Sequence, residues 1–196
     1  MNNIQFTPHF ELKEFTESAT ARRHGIANEP SFEAVENLKA LCVFTLEPLR
    51  EELGLPLIIT SGYRTKALNS LLVGHSNKSQ HMEGCAADFY VAQGPVSGSR
   101  FQVSGVKSQV SGSKHLNLET GASPMKLETS SRRELLIRAF RLIITSEIID
   151  YDQLILYPTF IHVSYVSRAK NRHKLTKANG HGTYCALTRE AALSLE

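Results

Sequence analysis

The sequence has no tryptophan, only three cysteines among its 196 residues, and no hydrophobic run long enough to cross a membrane. The cysteines, Cys42, Cys85 and Cys185, are far apart and form no C-x-x-C pair, which argues against a disulfide framework and against a zinc knuckle. The first residues lack the basic segment and apolar segment of a secretory signal peptide. We therefore expect a protein that is synthesised in soluble form in the cytoplasm, with reduced thiols and no membrane span.

Positive charge is concentrated in one segment. The net charge is +3, but residues 94–133 carry an excess of four positive charges, so the rest of the chain is at −1. Because the excess positive charge lies in this segment alone, nucleic acid is not expected as a partner. A basic segment still attracts other anionic polymers.

The same segment is repetitive. The tripeptide Val-Ser-Gly recurs at residues 96–98, 103–105 and 110–112. Its period of seven is that of a coiled coil, but a unit with Gly, Ser and one strong apolar residue cannot form a heptad seam. We expect residues 94–130 to be a flexible, low-complexity insert in a single domain that spans residues 1–196.

Outside this segment, apolar spacing predicts a mixture of helices and strands. A helix capped by Ser31 and ended by Gly54 is expected to kink or break near Pro48. Another helix follows the capping-box pattern that starts at Ser131. Short apolar runs predict strands at residues 56–60, 86–91, 152–157 and 160–166, the last two as a tight hairpin. The expected fold class is α+β, with a small, mainly antiparallel sheet and helices packed on one face.

Three residues have side chains and positions that suit metal ligands. His81 and Asp88 flank Gly84, whose turn would let His81 fold back toward a strand that carries Asp88. On the strand near residue 162, alternation places His162 and Ser164 on one face. Catalytic zinc sites use three such ligands and leave a fourth position for water. The spacing alone is weak, because H-x6-D often arises by chance and a strand histidine is usually a half-exposed polar residue.

Several ordered motifs together resemble the M15 family of zinc D-Ala-D-Ala carboxypeptidases and related phage endolysin peptidases. The motifs are Ser61-Gly62-Tyr63-Arg64, then Ser79-Gln80-His81 with Gly84, Ala86 and Asp88, then Asp152-Gln153-Leu154-Ile155, and Ile161-His162-Val163-Ser164-Tyr165. The likeness covers most of residues 7–173 apart from the insert. It implies that His81, Asp88 and His162 hold Zn²⁺ in a cleft on the sheet face opposite the helices, where a bound water of pKa about 7 attacks an amide.

The resemblance also implies roles for residues that do not bind the metal. Arg64 corresponds to an arginine that stabilises the oxyanion or pairs with a substrate carboxylate, a task that suits the forked guanidinium. Ser79 and Gln80 are candidate hydrogen-bonding residues for the substrate, and a simple loop role for both is nearly as plausible.

The general base of the family is not visible in this chain. Better-known relatives carry an acidic residue three positions before the last histidine ligand, where this chain has Thr159. The nearby acids are Asp152, Glu83 and Asp150, and Asp152 is the candidate for a catalytic carboxylate. A tight hairpin that pairs Ile155 with His162 would turn Gln153 toward the cleft and Asp152 away from it, unless a bulge reverses the face.

The function implied by the resemblance is zinc-dependent hydrolysis of peptide bonds that involve D-amino acids in peptidoglycan, by a D,D-carboxypeptidase or an endopeptidase. Hydrolysis of the free D-Ala-D-Ala dipeptide is a second enzymatic interpretation. The alternative from another class is a non-catalytic, metal-bearing module that binds cell-wall peptides, motivated by the missing acid. Peptidoglycan peptides are the expected partners of a monomer that would reach the wall by prophage-type release.

Overall fold

The computed structural model describes residues 4–73, 76–93 and 131–196. The insert predicted at residues 94–130 lies outside these ranges. Within them, none of the helices combines the length and the apolar character that crossing a membrane requires.

The strands of the described chain form two sheets. A hairpin of β1 (Gln5–Thr7) and β2 (Phe10–Glu11) makes the small one. The larger sheet has the order β3-β4-β6-β5-β7-β8, with the bounds β3 (Leu57–Ser61), β4 (Ala86–Val91), β5 (Gln153–Leu156), β6 (Ile161–Ser164), β7 (Lys174–Ala178) and β8 (Tyr184–Ala186). Its neighbours are antiparallel except for the parallel pair β5–β7. The predicted α+β class with a mainly antiparallel sheet is confirmed.

The described chain contains seven α-helices, one of which packs on the central strands of this sheet. They are α1 (Leu12–Thr16), α2 (Ala19–Arg23), α3 (Phe32–Leu41), α4 (Glu47–Leu53), α5 (Lys66–Ser70), α6 (Arg132–Thr145) and α7 (Arg189–Leu193). Helix α6 begins at the predicted capping box, in which the Ser131 hydroxyl accepts from the Glu134 N–H and the Glu134 carboxylate accepts from the Ser131 N–H. It contacts β4 and β5 and buries Leu136, Phe140 and Ile143 in the core.

The irregularity expected at Pro48 is a π-helical turn at Cys42–Leu46, between α3 and α4. Proline has no N–H, so the Phe44 carbonyl four residues earlier has no helical donor. The backbone N–H of Asp150 donates to that carbonyl at 3.0 Å, and the Thr45 hydroxyl donates to the Asp150 carbonyl at 2.6 Å. The turn therefore fixes the loop that leads into β5.

The register of the central strands places the candidate ligands side by side. The predicted pairing of Ile155 with His162 and of Gln153 with Ser164 is confirmed, and Asp88 of β4 lies opposite His162 from the other side. The alternate residues of these strands belong to the core that α6 covers. Because successive strand side chains point to opposite faces, Asp88 and His162 lie on the face away from α6.

Candidate metal centre

His81, Asp88 and His162 converge in the structure, as the sequence predicts. The Oδ1 atom of Asp88 is 2.8 Å from Nδ1 of His162 and 3.3 Å from Nε2 of His81, and these two nitrogens are 3.2 Å apart. The three residues are a group that could hold a metal ion. They come from two neighbouring strands and from the 3₁₀ turn Gln80–Glu83.

Two of these three separations fit the coordination geometry of zinc. Tetrahedral Zn²⁺ with bonds of about 2.0–2.1 Å to nitrogen and oxygen requires ligand atoms about 3.3–3.4 Å apart. The His81–His162 and His81–Asp88 separations lie within about 0.2 Å of that ligand-to-ligand distance. The third separation is a direct contact of 2.8 Å between Asp88 and His162. The two imidazoles and one carboxylate are also a donor set that zinc prefers.

Backbone contacts set the orientation of His81. Its Nδ1 lies 2.7 Å from the Gly62 carbonyl oxygen, so Nδ1 carries the proton and Nε2 presents its lone pair to Asp88 and His162. Gly62 itself must be a glycine, because a Cβ there would lie 2.6 Å from the Cα of Phe15. The segment that follows β3 thus supplies the outer hydrogen bond typical of a metal-bound histidine.

Arg64 contacts the carboxylate of Asp88. Its Nη2 donates to Asp88 Oδ2 at 3.1 Å, while its Nε donates to the Ser61 hydroxyl at 3.1 Å. Asp88 therefore has one oxygen held by Arg64 and the other directed at the two histidines. Arg64 also lines the cleft that contains the cluster. Its role toward a substrate stays a prediction.

Burial and charge favour the protonation states that metal binding requires. Burial lowers the pKa of His81, which keeps this imidazole neutral. Burial alone would raise the pKa of Asp88, but the two imidazoles beside it, those of His81 and His162, lower it well below its ordinary range. The cluster thus contains a carboxylate that stays ionised beside a neutral imidazole.

Asp152 is held by a network of hydrogen bonds. Its Oδ1 accepts from the backbone N–H and the Nε of Arg172, at 2.9 and 2.8 Å. Its Oδ2 accepts from Nη2 of Arg172 at 2.5 Å and from Nε2 of Gln80 at 2.9 Å. Asp152 precedes β5, where strand alternation no longer applies, so the expectation that it turns away from the cleft was wrong: both it and Gln153 line the cleft.

These contacts favour a positioning role for Asp152. Burial would raise the pKa of Asp152, but hydrogen bonds from Arg172 and Gln80 bring it down to about 2. A carboxylate of such low pKa has little tendency to accept a proton near neutral pH. Through Gln80, Asp152 anchors the start of the 3₁₀ turn that carries His81. Ser79, which precedes this turn, lines the cleft.

The Arg172–Asp152 ion pair gives a testable pH dependence of stability. Because the pKa of Asp152 is about 2 in the folded chain, against an ordinary 3.8, its contribution is complete above about pH 4 and is lost as the pH falls through 2. We expect Arg172→Gln to lower the free energy of unfolding by about 1–2 kcal/mol at pH 7 and to reduce this acid sensitivity. Urea unfolding of both proteins from pH 7 to pH 2 measures this. Two curves that stay a constant distance apart down to pH 2 would contradict it.

Comparison with known proteins assigns the family. A family model described as Peptidase M15 matches residues 8–120, which is more than half of the chain. The chain belongs to the peptidase M15 family. The M15 match contains His81, Asp88 and Arg64, and it ends before His162. No curated protein matches the chain.

The structure of this M15 family member adds residues that sequence reasoning missed. Arg172 was not expected to hold Asp152, since a basic run such as residues 168–174 gives no sign of its partner. Tyr157 and Tyr184 were not singled out either, yet both line the cleft. The catalytic and substrate-binding roles of Arg64, Asp152, Ser79 and Gln80 stay predictions.

Proposed function

We propose that this M15 family member is a zinc-dependent peptidase that hydrolyses D-amino-acid-containing peptide bonds of peptidoglycan, as a D,D-carboxypeptidase or an endopeptidase. The observation that supports the proposal is the ligand cluster, in which donor atoms of His81, Asp88 and His162 lie 2.8–3.3 Å apart inside a cleft. The M15 family match supports the peptidase class.

The chain's own residues would hold the ion and orient the substrate. Zn²⁺ bound by His81, Asp88 and His162 would supply a Lewis acid and a coordinated water with a pKa of about 7. Arg64 lies beside Asp88 in the cleft and would direct its guanidinium at the substrate's carbonyl or carboxylate oxygen.

The charge of the cleft fits a peptide that carries carboxylates. Lys78 and Lys170 line it in addition to Arg64 and Arg172. The carboxylates among its described lining residues are Asp88 and Asp152, and both are in ion pairs with arginine. Because these two ion pairs also engage Arg64 and Arg172, the excess positive charge of the cleft comes from Lys78 and Lys170, and an anionic stem peptide would meet it there.

Digestion of purified peptidoglycan by the zinc-loaded protein tests the proposal. We expect new peptide termini, detected by mass spectrometry, and no such products from His162→Ala at matched concentration. The exposed His24 offers a matched control, because His24→Ala removes an imidazole that does not line the cleft and should leave cleavage intact. Circular dichroism of each variant checks the fold. Absence of cleavage by the wild type would contradict the proposal.

One observation favours the alternative of a non-catalytic module that binds wall peptides. Both carboxylates among the described lining residues of the cleft are engaged, so none of them is placed to take a proton from water. A module would sediment with peptidoglycan in a zinc-dependent manner without releasing peptides. Turnover of free D-Ala-D-Ala but not of muropeptides would instead support a dipeptidase.

A further inference from the structure

An aromatic pair lines the same cleft as His162. Tyr157 follows β5, and its backbone N–H donates to the Phe160 carbonyl at 3.0 Å. The two rings stack with centroids 4.2 Å apart and planes 12° from parallel. Phe160 directly precedes β6, the strand that carries His162. Tyr157 and Phe160 both line the metal cleft.

A second tyrosine meets Tyr157 from the edge of the sheet. The Oη atoms of Tyr157 and Tyr184 are 3.2 Å apart, and the rings meet edge to face at 6.2 Å and 89°. Tyr184 is positioned by its pairing with Ala178 across β7 and β8. The Oδ1 atom of Asn179 accepts from two backbone N–H groups of the intervening turn. The end of β5 and the pairing of β7 with β8 thus place the two hydroxyl groups next to each other.

The two tyrosine hydroxyls have one O–H proton that their mutual hydrogen bond does not use. Two phenols carry two O–H protons, and the bond between their oxygens uses one of them. The other O–H can donate to a ligand in the cleft. Burial and the contact with Tyr184 raise the pKa of Tyr157, so the Tyr157 hydroxyl keeps its proton at neutral pH. Asp88 and Arg64 line the same cleft as Tyr157 and Tyr184.

We propose that the hydroxyl pair of Tyr157 and Tyr184 binds the substrate and donates a hydrogen bond to the carbonyl oxygen of the peptide bond that is cleaved. This inference rests on the proposed peptidase function. The pair would share with Arg64 the stabilisation of negative charge on that oxygen. Hydrogen-bond donors placed where charge develops act mainly on the transition state.

Replacement of Tyr157 by phenylalanine keeps the stacked ring and removes only the hydroxyl. We expect Tyr157→Phe to lower kcat by about 10²-fold, the usual cost of one donor to a developing oxyanion, while KM changes little. Tyr184→Phe should have a smaller effect, since the Tyr157 hydroxyl remains. Zinc content should equal that of the wild type. Tyr90→Phe is a matched control, because Tyr90 lies on β4 but does not line the cleft.

Affinity for a phosphinate analogue of the peptide, measured by calorimetry on zinc-loaded protein, gives a readout independent of turnover. A phosphinate carries a tetrahedral, charged centre, so Tyr157→Phe should weaken its binding by about the same factor as kcat. Equal kcat and equal phosphinate affinity in variant and wild type would overturn the proposal and leave the peptidase function standing. If the wild type cleaves nothing but binds the phosphinate, the peptidase function fails, and weaker binding by Tyr157→Phe still supports the hydroxyl contact. A wild type that neither cleaves nor binds overturns both.

Discussion

His81→Ala is expected to lose zinc almost completely. The variant removes one of the three proposed ligands, whose donor atoms lie within 3.3 Å of each other. Loss of an outer hydrogen bond to a zinc ligand typically costs 10–100-fold in metal affinity, so loss of the ligand itself should cost more than about 10²-fold. His162→Ala should behave alike. Metal content after dialysis against a weak chelator, measured by mass spectrometry, should fall from about one zinc per chain to near zero.

His24→Ala is the matched control for this experiment. His24 follows α2, is exposed and lies outside the cleft, so its replacement should leave one zinc per chain. Retention of a full zinc complement by both His81→Ala and His162→Ala would show that the ion binds elsewhere.

Gly84→Ala is expected to be the most destabilising small substitution near the site. Gly84 ends the 3₁₀ turn with φ at +73°, and a Cβ there would lie 2.3 Å from the Ala34 carbonyl oxygen on α3. The left-handed conformation alone costs an alanine about 1–2 kcal/mol. Because the clash is with backbone, α3 or the turn must also move, so we expect unfolding free energy to fall by about 3 kcal/mol or more. The turn carries His81, so zinc affinity should fall as well.

Gly25→Ala is a control that measures the cost of the left-handed backbone conformation without a steric clash. Gly25 has φ at +62°, but an added Cβ would meet no atom within 4 Å. This control should therefore lose only about 1–2 kcal/mol and keep its zinc. Urea unfolding of the two variants gives the comparison. Equal losses of stability would contradict the close packing of Gly84 on α3.

Local patterns predicted the elements near the ligands correctly. The Ser131 capping box and the β5–β6 register follow from short-range sequence rules. The pairing of β4 with β6 places His162 beside Asp88. Strand β7 was not predicted, because its parallel pairing with β5 joins segments that no local turn connects.

The other features that could not be predicted from the sequence depend on contacts between residues far apart in the chain. The orientation of Asp152 depends on Arg172, twenty residues later. The hydroxyl pair of Tyr157 and Tyr184 depends on where β8 joins the sheet. The single-domain organisation, the monomeric state and prophage-type release to the wall stay predictions.

X-ray absorption at the zinc edge of the loaded wild-type protein tests the central claim most directly. Binding by His81, Asp88 and His162 predicts nitrogen and oxygen neighbours at about 2.0–2.2 Å, with imidazole scattering from two histidines and no sulfur. The rival ligand is Cys85, close to the turn that carries His81, although burial raises the pKa of its thiol to about 11. A sulfur neighbour at about 2.3 Å, or an unchanged spectrum in His162→Ala, would contradict the proposed metal centre.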